Sequence, residues 1–314
     1  NGSSCGGLCA NRTEVVLAGA NNGILHAFKT SDGEELWGYI PPNVLGNLEK
    51  IPSSKANSTN AIYGIDGSPV VKDIYFDDTP NDSTNNPRWR TILLGGLGAG
   101  GKGLYAIDIT DVNNPTHLFA INHNASDKAI QHWDSDGFKN EFGYAGGGID
   151  AKYDYRKLGE TWSTPRIIRI KVSGKDKWVA VFGGGYNGAV NPDYGSAVFV
   201  MDLEDEGRLL KAIDIGDTSA DIVNSLPADL SVITADGTDK ANYDGAIVYA
   251  TDLEGKLTKI NLTENFSLIC PSGKTCNKDT DKVIKNISAT TLFIAESTSE
   301  NGRDIYTRPE VKIN

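Results

Sequence analysis

Basic residues are in short supply in this 314-residue chain. Thirty Lys and Arg stand against 41 Asp and Glu, a formal net charge of −11. Phosphate recognition needs a basic surface, so the balance argues against a nucleic-acid partner. It equally disfavours an electrostatic anchor on anionic lipid. Long apolar runs are missing too: no window approaches the roughly 18 uninterrupted apolar residues of a membrane span. Methionine occurs once, and apolar residues hardly ever recur at helical spacing, which argues against a helical bundle. The four histidines, at 26, 117, 123 and 132, have no metal-ligand spacing. No GxSxG elbow, paired Cys-His signature or GxxxxGK[ST] phosphate loop occurs.

What the chain has instead is glycine, 35 residues of it, between short apolar runs. Stacked by these runs, the sequence repeats. The four units are TEVVLAGANNGILHAFKTSDGEELWGYIP (13–41), RTILLGGLGAGGKGLYAIDITDVNNPTHLFAI (90–121), KWVAVFGGGYNGAVNPDYGSAVFVMDLEDEGRLLKAI (177–213) and GAIVYATDLEGKLTKINL (245–262). A shorter lead strand precedes all but the first. Ser/Thr-Pro marks it in GSPVVKDI (67–74) and STPRIIRI (163–170), whereas LSVI (230–233) lacks the mark. TRPEVKI (307–313) has a proline and stands at the end. The unit is therefore four strands: lead, Gly-ending, Asp-ending and outer. Alternation within them is legible, with Leu104, Ala106 and Asp108 on one face and Tyr105, Ile107 and Ile109 on the other.

Serial four-stranded meanders predict an all-β, quinoprotein-like β-propeller over residues 1–314, because one blade cannot bury both faces alone. Gly19, Gly95 and Gly183 lie 76 and 88 residues apart. Blades usually run about 40–50 residues, so the excess is insertion. Insertions are expected at 43–62, 76–88, 122–160 and 185–194. Either the chain is a fragment of a larger propeller, or its last strand completes the first blade; the fragment is the expectation.

These runs resemble the C-terminal propeller of the PilC/PilY-type type IV pilus tip proteins. VVLAGANNGILHAF (15–28), DGEELWGYIPPNVLGNL (32–48), YGIDGSPVVKDIYF (63–76) and WRTILLGGLGAGGKGLYAIDIT (89–110) carry the likeness in order. LGETWSTPRIIRI (158–170), WVAVFGGGYNGA (178–189) and VYATDLEGKLTKINL (248–262) continue it. The resemblance implies a secreted, pilus-associated, non-catalytic protein of a Gram-negative bacterium. It implies pilin or minor pilins as partners, adhesion to a host-cell surface, and control of pilus extension against retraction in twitching motility. Two other readings stay open on the residues alone: a quinoprotein-type dehydrogenase, and a carbohydrate- or protein-binding propeller unrelated to pili.

The family's calcium loop has nine residues and ends just before a VYAGDL-like strand. In this frame Asp236 stands first, Thr238 third, Asn242 seventh and Asp244 ninth. Lys240 holds the fifth position and offers no side-chain oxygen, while Asp239 is an extra carboxylate beside it. Calcium takes oxygen donors, so the expected ligand set is Asp236, Thr238, Asp239, Asn242 and Asp244, against the alternative of an Asx-rich turn.

Smaller signals complete the reading. Cys5/Cys9 and Cys270/Cys276 form two close pairs, which predicts two loop-closing disulfides rather than a four-thiolate zinc site. DSDGFKNE (134–141) lacks the later acidic ligands of an EF-hand and reads as a polar turn, as does FDDTPNDS (76–83). His26 reads as a hydrogen-bonded strand histidine. His123 and His132, in a long insertion, are expected to face solvent. A partner interface is expected on the 122–160 insertion, since functional loops ride on rigid scaffolds.

Overall fold

The computed structural model describes residues 12–50, 62–76, 88–146, 149–187, 194–216, 224–234, 245–271, 276, 282–285 and 287–311. Four antiparallel sheets follow one another along the chain. The first contains β1 (Val15–Gly19), β2 (Leu25–Lys29) and β3 (Glu35–Tyr39). The second begins with β4 (Val70–Phe76), β5 (Arg88–Gly96), β6 (Gly103–Asp108) and β7 (Thr116–Asn124). It continues through β8 (Ala129–Trp133) and β9 (Lys139–Gly143) to six strands. The third is β10 (Arg166–Val172), β11 (Lys175–Gly183), β12 (Ala197–Asp202) and β13 (Arg208–Asp214). The fourth orders β14 (Ser231–Thr234), β15 (Ala246–Thr251) and β16 (Lys256–Asn261) beside β19 (Ser288–Ile294). A small hairpin, β17 (Leu268–Ile269) with β18 (Val283–Ile284), intervenes in sequence.

The four predicted units are thus the four sheets, and each lead strand sits at the inner edge of its sheet. The repeat extends to a detail that the sequence does not announce. In every sheet the pairing of the third strand with the outer strand breaks register: at Ala27/Phe28, Ala106/Ile107, Val200/Met201 and Leu257/Thr258. Such a bulge bends and twists the outer half of a blade.

Face-to-face stacking holds the sheets together, as a propeller requires. Leu104 and Ala106 pack toward the third sheet, joining Trp178, Phe182 and Phe199. Tyr105, Ile107 and Ile109 pack the other way, with Leu25 of the first sheet. Val179, Val181, Val198 and Val200 meet Ala246, Val248 and Ala250 of the fourth. Strands of the second and third sheets are buried on both faces, which is why they read as near-continuous apolar runs rather than clean alternations.

Backbone hydrogen bonds also tie sheet to sheet, just after each second strand. Ile65 N–H donates to Ala20 O at 3.0 Å, Gly98 N–H to Thr161 O at 3.2 Å and Gly185 N–H to Leu226 O at 3.0 Å. The Gly runs serve this approach between blades.

One strand was not foreseen, and two expectations need correction. The outer strand of the fourth unit is β19, reached after an insertion that contains the predicted Cys270–Cys276 disulfide (Cα–Cα 5.5 Å); Cys5 and Cys9 lie outside the described residues. The strand-like 307–313 run is not a strand over its described part, 307–311, and the first sheet holds only β1, β2 and β3 among the described residues, in keeping with the expected fragment. It lies along the fourth sheet, where Thr307 O accepts a hydrogen bond from Thr251 Oγ1 (2.8 Å) and Pro309 O one from Ser231 Oγ. Nor is the 122–160 insertion a solvated loop. It supplies β8 and β9, which extend the second sheet over the third, and it buries both histidines. His123 is 3% exposed and bonded to Leu158 O (2.6 Å) and Tyr144 Oη (2.8 Å). His132 is 2% exposed, bonded to Glu206 O (2.8 Å) and stacked on Tyr153.

Candidate functional site

The expected calcium ligands, Asp236, Thr238, Asp239, Asn242 and Asp244, lie outside the described residues, as does Lys240. The structure describes what holds that loop at both ends. Thr234, the last residue of β14, pairs in register with Ala246, the first of β15. The segment is therefore the connection of a single hairpin. At its exit, Gly245 has φ +131°, and a side chain there would overlap the Leu262 carbonyl. Only glycine fits that corner, so the residue following Asp244 is set by backbone geometry. Ala246 and Leu262 exchange N–H···O bonds of 3.2 and 2.7 Å immediately beyond it.

Among the described residues, no group of three or more His, Cys, Asp or Glu side chains is arranged to hold a metal. DSDGFKNE forms the β8–β9 turn: Asp134 Oδ1 accepts from Phe138 N–H at 2.8 Å, and Gly137 takes φ +80°. In FDDTPNDS, residues 77–83 lie outside the described residues. His26 is held by Glu35 Oε1 at 2.8 Å and by Asn22 at 3.3 Å. Burial lowers the His123 imidazole to about 4, so this histidine is neutral at ordinary pH.

Sequence reading missed a charge pattern, buried in one blade and half-buried in the next, that two blades share. Arg90 is the third residue of β5 and Lys177 the third of β11. Each meets the aspartate that ends the third strand of its own sheet: Arg90–Asp108 at 2.5 Å and Lys177–Asp202 at 2.7 Å. Each aspartate also caps the residue two positions on, Thr110 N–H at 2.8 Å or Glu204 N–H at 3.0 Å. That residue in turn accepts from the second strand. Thr91 N–H donates to Thr110 Oγ1 at 2.9 Å, and Trp178 N–H donates to Glu204 Oε1 at 2.7 Å. The same backbone geometry therefore accepts a neutral hydroxyl in one blade and a carboxylate in the next. The available signal was the recurrence of D-x-[TE] after an apolar strand.

The substitution has an electrostatic consequence. Burial, and then the adjacent Asp202 carboxylate, push Glu204 up to about 7. Burial alone would lower the Lys177 ammonium, but Asp202 and Glu204 outweigh it and hold it above its ordinary value. Because the folded value of Glu204 exceeds the unfolded one, its contribution is fully present below about pH 4 and is lost as pH rises through about 7. Glu204→Gln keeps the acceptor for Trp178 and removes the charge. Urea unfolding should show it more stable than wild type by about 2 kcal/mol near pH 8, with the gap closing near pH 4. An equal gap at both pH values would mean that packing, not ionisation, sets the difference.

A family model described as the PilY1 beta-propeller domain matches residues 2–296. The chain belongs to the PilY1 β-propeller family. The matched region spans all four sheets and the blocks of the resemblance between residues 15 and 262, and it ends before the weaker block at 307–311. The type IV pilus biogenesis factor PilY1 of Pseudomonas aeruginosa is 31% identical over 252 residues, 80% of this chain and 17% of that protein. A PilY1 homologue of Xylella fastidiosa is 29% identical over 263 residues, 80% of this chain and 14% of its own. The crystal structure of the P. aeruginosa PilY1 C-terminal domain superposes with a TM-score of 0.52 at 28% identity. That alignment covers 79% of this chain and 38% of the solved one. The chain thus spans less than a fifth of the length of these PilY1 relatives.

Proposed function

We propose that this chain is the propeller module of a type IV pilus biogenesis factor, acting by interaction rather than catalysis, with one calcium ion in the β14–β15 connection. Membership of the PilY1 family carries the pilus reading. The calcium reading is supported by the donor set between two register-locked strands: carboxylates at Asp236, Asp239 and Asp244, with an amide oxygen at Asn242 and a hydroxyl at Thr238. These are hard oxygen donors of the kind calcium selects. Lys240 fits this set only with its ammonium turned to solvent.

In this reading, the module works outside the cell, at the pilus tip or the outer membrane of a Gram-negative bacterium. Its partners are pilin or minor pilins and, in adherence, a host-cell surface. Calcium occupancy biases pilus extension against retraction, and through it twitching motility. The six-strand second blade, with its β8–β9 extension, is the surface offered to those partners.

Calcium should bind chelator-treated protein with a saturable one-site heat by calorimetry. Asp236→Ala and Asp244→Ala should each weaken it at least tenfold. No heat with wild type, or unchanged affinity in both variants, would overturn the calcium reading. Capture of purified pilin or minor pilins by the immobilised chain tests the pilus role separately; their complete absence from the eluate would count against it.

A further inference from the structure

Three inner edges meet around a cavity. Residues of β4, β10 and β14 line a space of about 560 Å³, and the extended 308–311 segment closes one side. The three strands are the innermost of their sheets and have no strand partner on that side, so their edges turn backbone N–H groups toward it.

The charge around this space is unlike that of the rest of the chain. Lys72 comes from β4, Arg166 from β10 and Arg308 from the closing segment, against one carboxylate, Glu310. Among the described residues, none of the three cations has a hydrogen-bond or ion-pair partner. Buried cations elsewhere in this acidic protein, such as Arg90 and Lys256, are each matched by a carboxylate, whereas this space gathers three cations against one. Thr234 adds a hydroxyl, and Ile167 and Leu230 add low-dielectric wall. Cations gathered in a concave site with apolar walls repel one another and focus a positive potential. A bound anion relieves that repulsion and accepts the available donors.

We infer that this axial cavity is a binding site for a small dianionic oxyanion, a phosphate or a dicarboxylate, held by Lys72, Arg166 and Arg308. A space of this size suits a small ligand with several ordered waters.

The test is a thermal shift in calcium-free buffer, titrating inorganic phosphate or succinate against sodium chloride at matched ionic strength and pH. At least one of the two dianions should raise Tm saturably, beyond any effect of chloride. A response to phosphate alone assigns a tetrahedral oxyanion, to succinate alone a dicarboxylate, and to both a site that reads charge. The double variant Lys72→Gln/Arg166→Gln should lose the response, weakening binding at least tenfold. Its ligand-free Tm should equal or exceed that of wild type in low salt, because repulsion has been removed. Lys175→Gln, at an exposed hairpin, should respond as wild type does. If the double variant does not fold, Arg308→Gln on the exposed segment carries the same expectation. Equal shifts in chloride and in both dianions, or undiminished affinity in the variants, would overturn the site.

Discussion

Gly185→Ala should cost about 4 kcal/mol or more and leave the chain largely unfolded at ambient temperature. Gly185 stands at φ +83°, where an L side chain costs about 1–2 kcal/mol on its own. Most of the loss is steric. An alanine Cβ would overlap the Glu160 carbonyl oxygen, which belongs to the backbone and cannot rotate away. Gly185 N–H also donates to Leu226 O, and Leu226 N–H donates back at 3.2 Å, so the clash falls on the clamp between the third and fourth blades. Gly137 supplies the control. It has nearly the same φ, +80°, with open space where a Cβ would go. Gly137→Ala should therefore cost only about 1–2 kcal/mol in the same urea titration. Similar losses at the two positions would mean that the close approach between blades is not what holds Gly185.

Asp108→Ala should destabilise by about 3–5 kcal/mol, because it strips the carboxylate from a guanidinium that is only 4% exposed. Asp108 Oδ2 holds Arg90, while Oδ1 holds the Thr110 amide and hydroxyl. Removing it opens the turn that leads into β7 and leaves charge in a dry place. Combining Asp108→Ala with Arg90→Met should recover part of the loss, since the uncompensated charge goes with it. A single-variant loss under about 1 kcal/mol, or no recovery in the pair, would show that the ion pair is incidental to the blade. The matching pair in the next blade, Lys177–Asp202, should lose less on Asp202→Ala, because Lys177 is partly exposed and keeps Glu204 at 3.8 Å.

The blades were legible because each is a local pattern. Apolar runs ended by glycine, or by aspartate at 108 and 202, marked strands whose order in every sheet then followed sequence, with β19 joining the fourth sheet after the β17–β18 hairpin. Leu104 and Tyr105 could be assigned to opposite faces because side chains alternate along any strand. The family blocks placed the candidate calcium loop, and the register of Thr234 with Ala246 confines it to one hairpin. His123 and His132 were misread for a physical reason. Polar insertion sequence usually means solvent, but β8 and β9 cap a neighbouring sheet, and partners as distant as Leu158 O and Glu206 O satisfy both rings.

By itself the sequence determined the strands of the repeat, the family and the chemistry on offer in 236–244, since all of these depend on residues close together along the chain. Tertiary structure alone decided which faces meet, and that Glu204 lies half-buried beside Asp202. It also brought Lys72, Arg166 and Arg308, separated by 94 and 142 residues, around one cavity. Burial and charge convergence arise only when blades turn about a common axis, and no local pattern encodes which inner edges will face one another there.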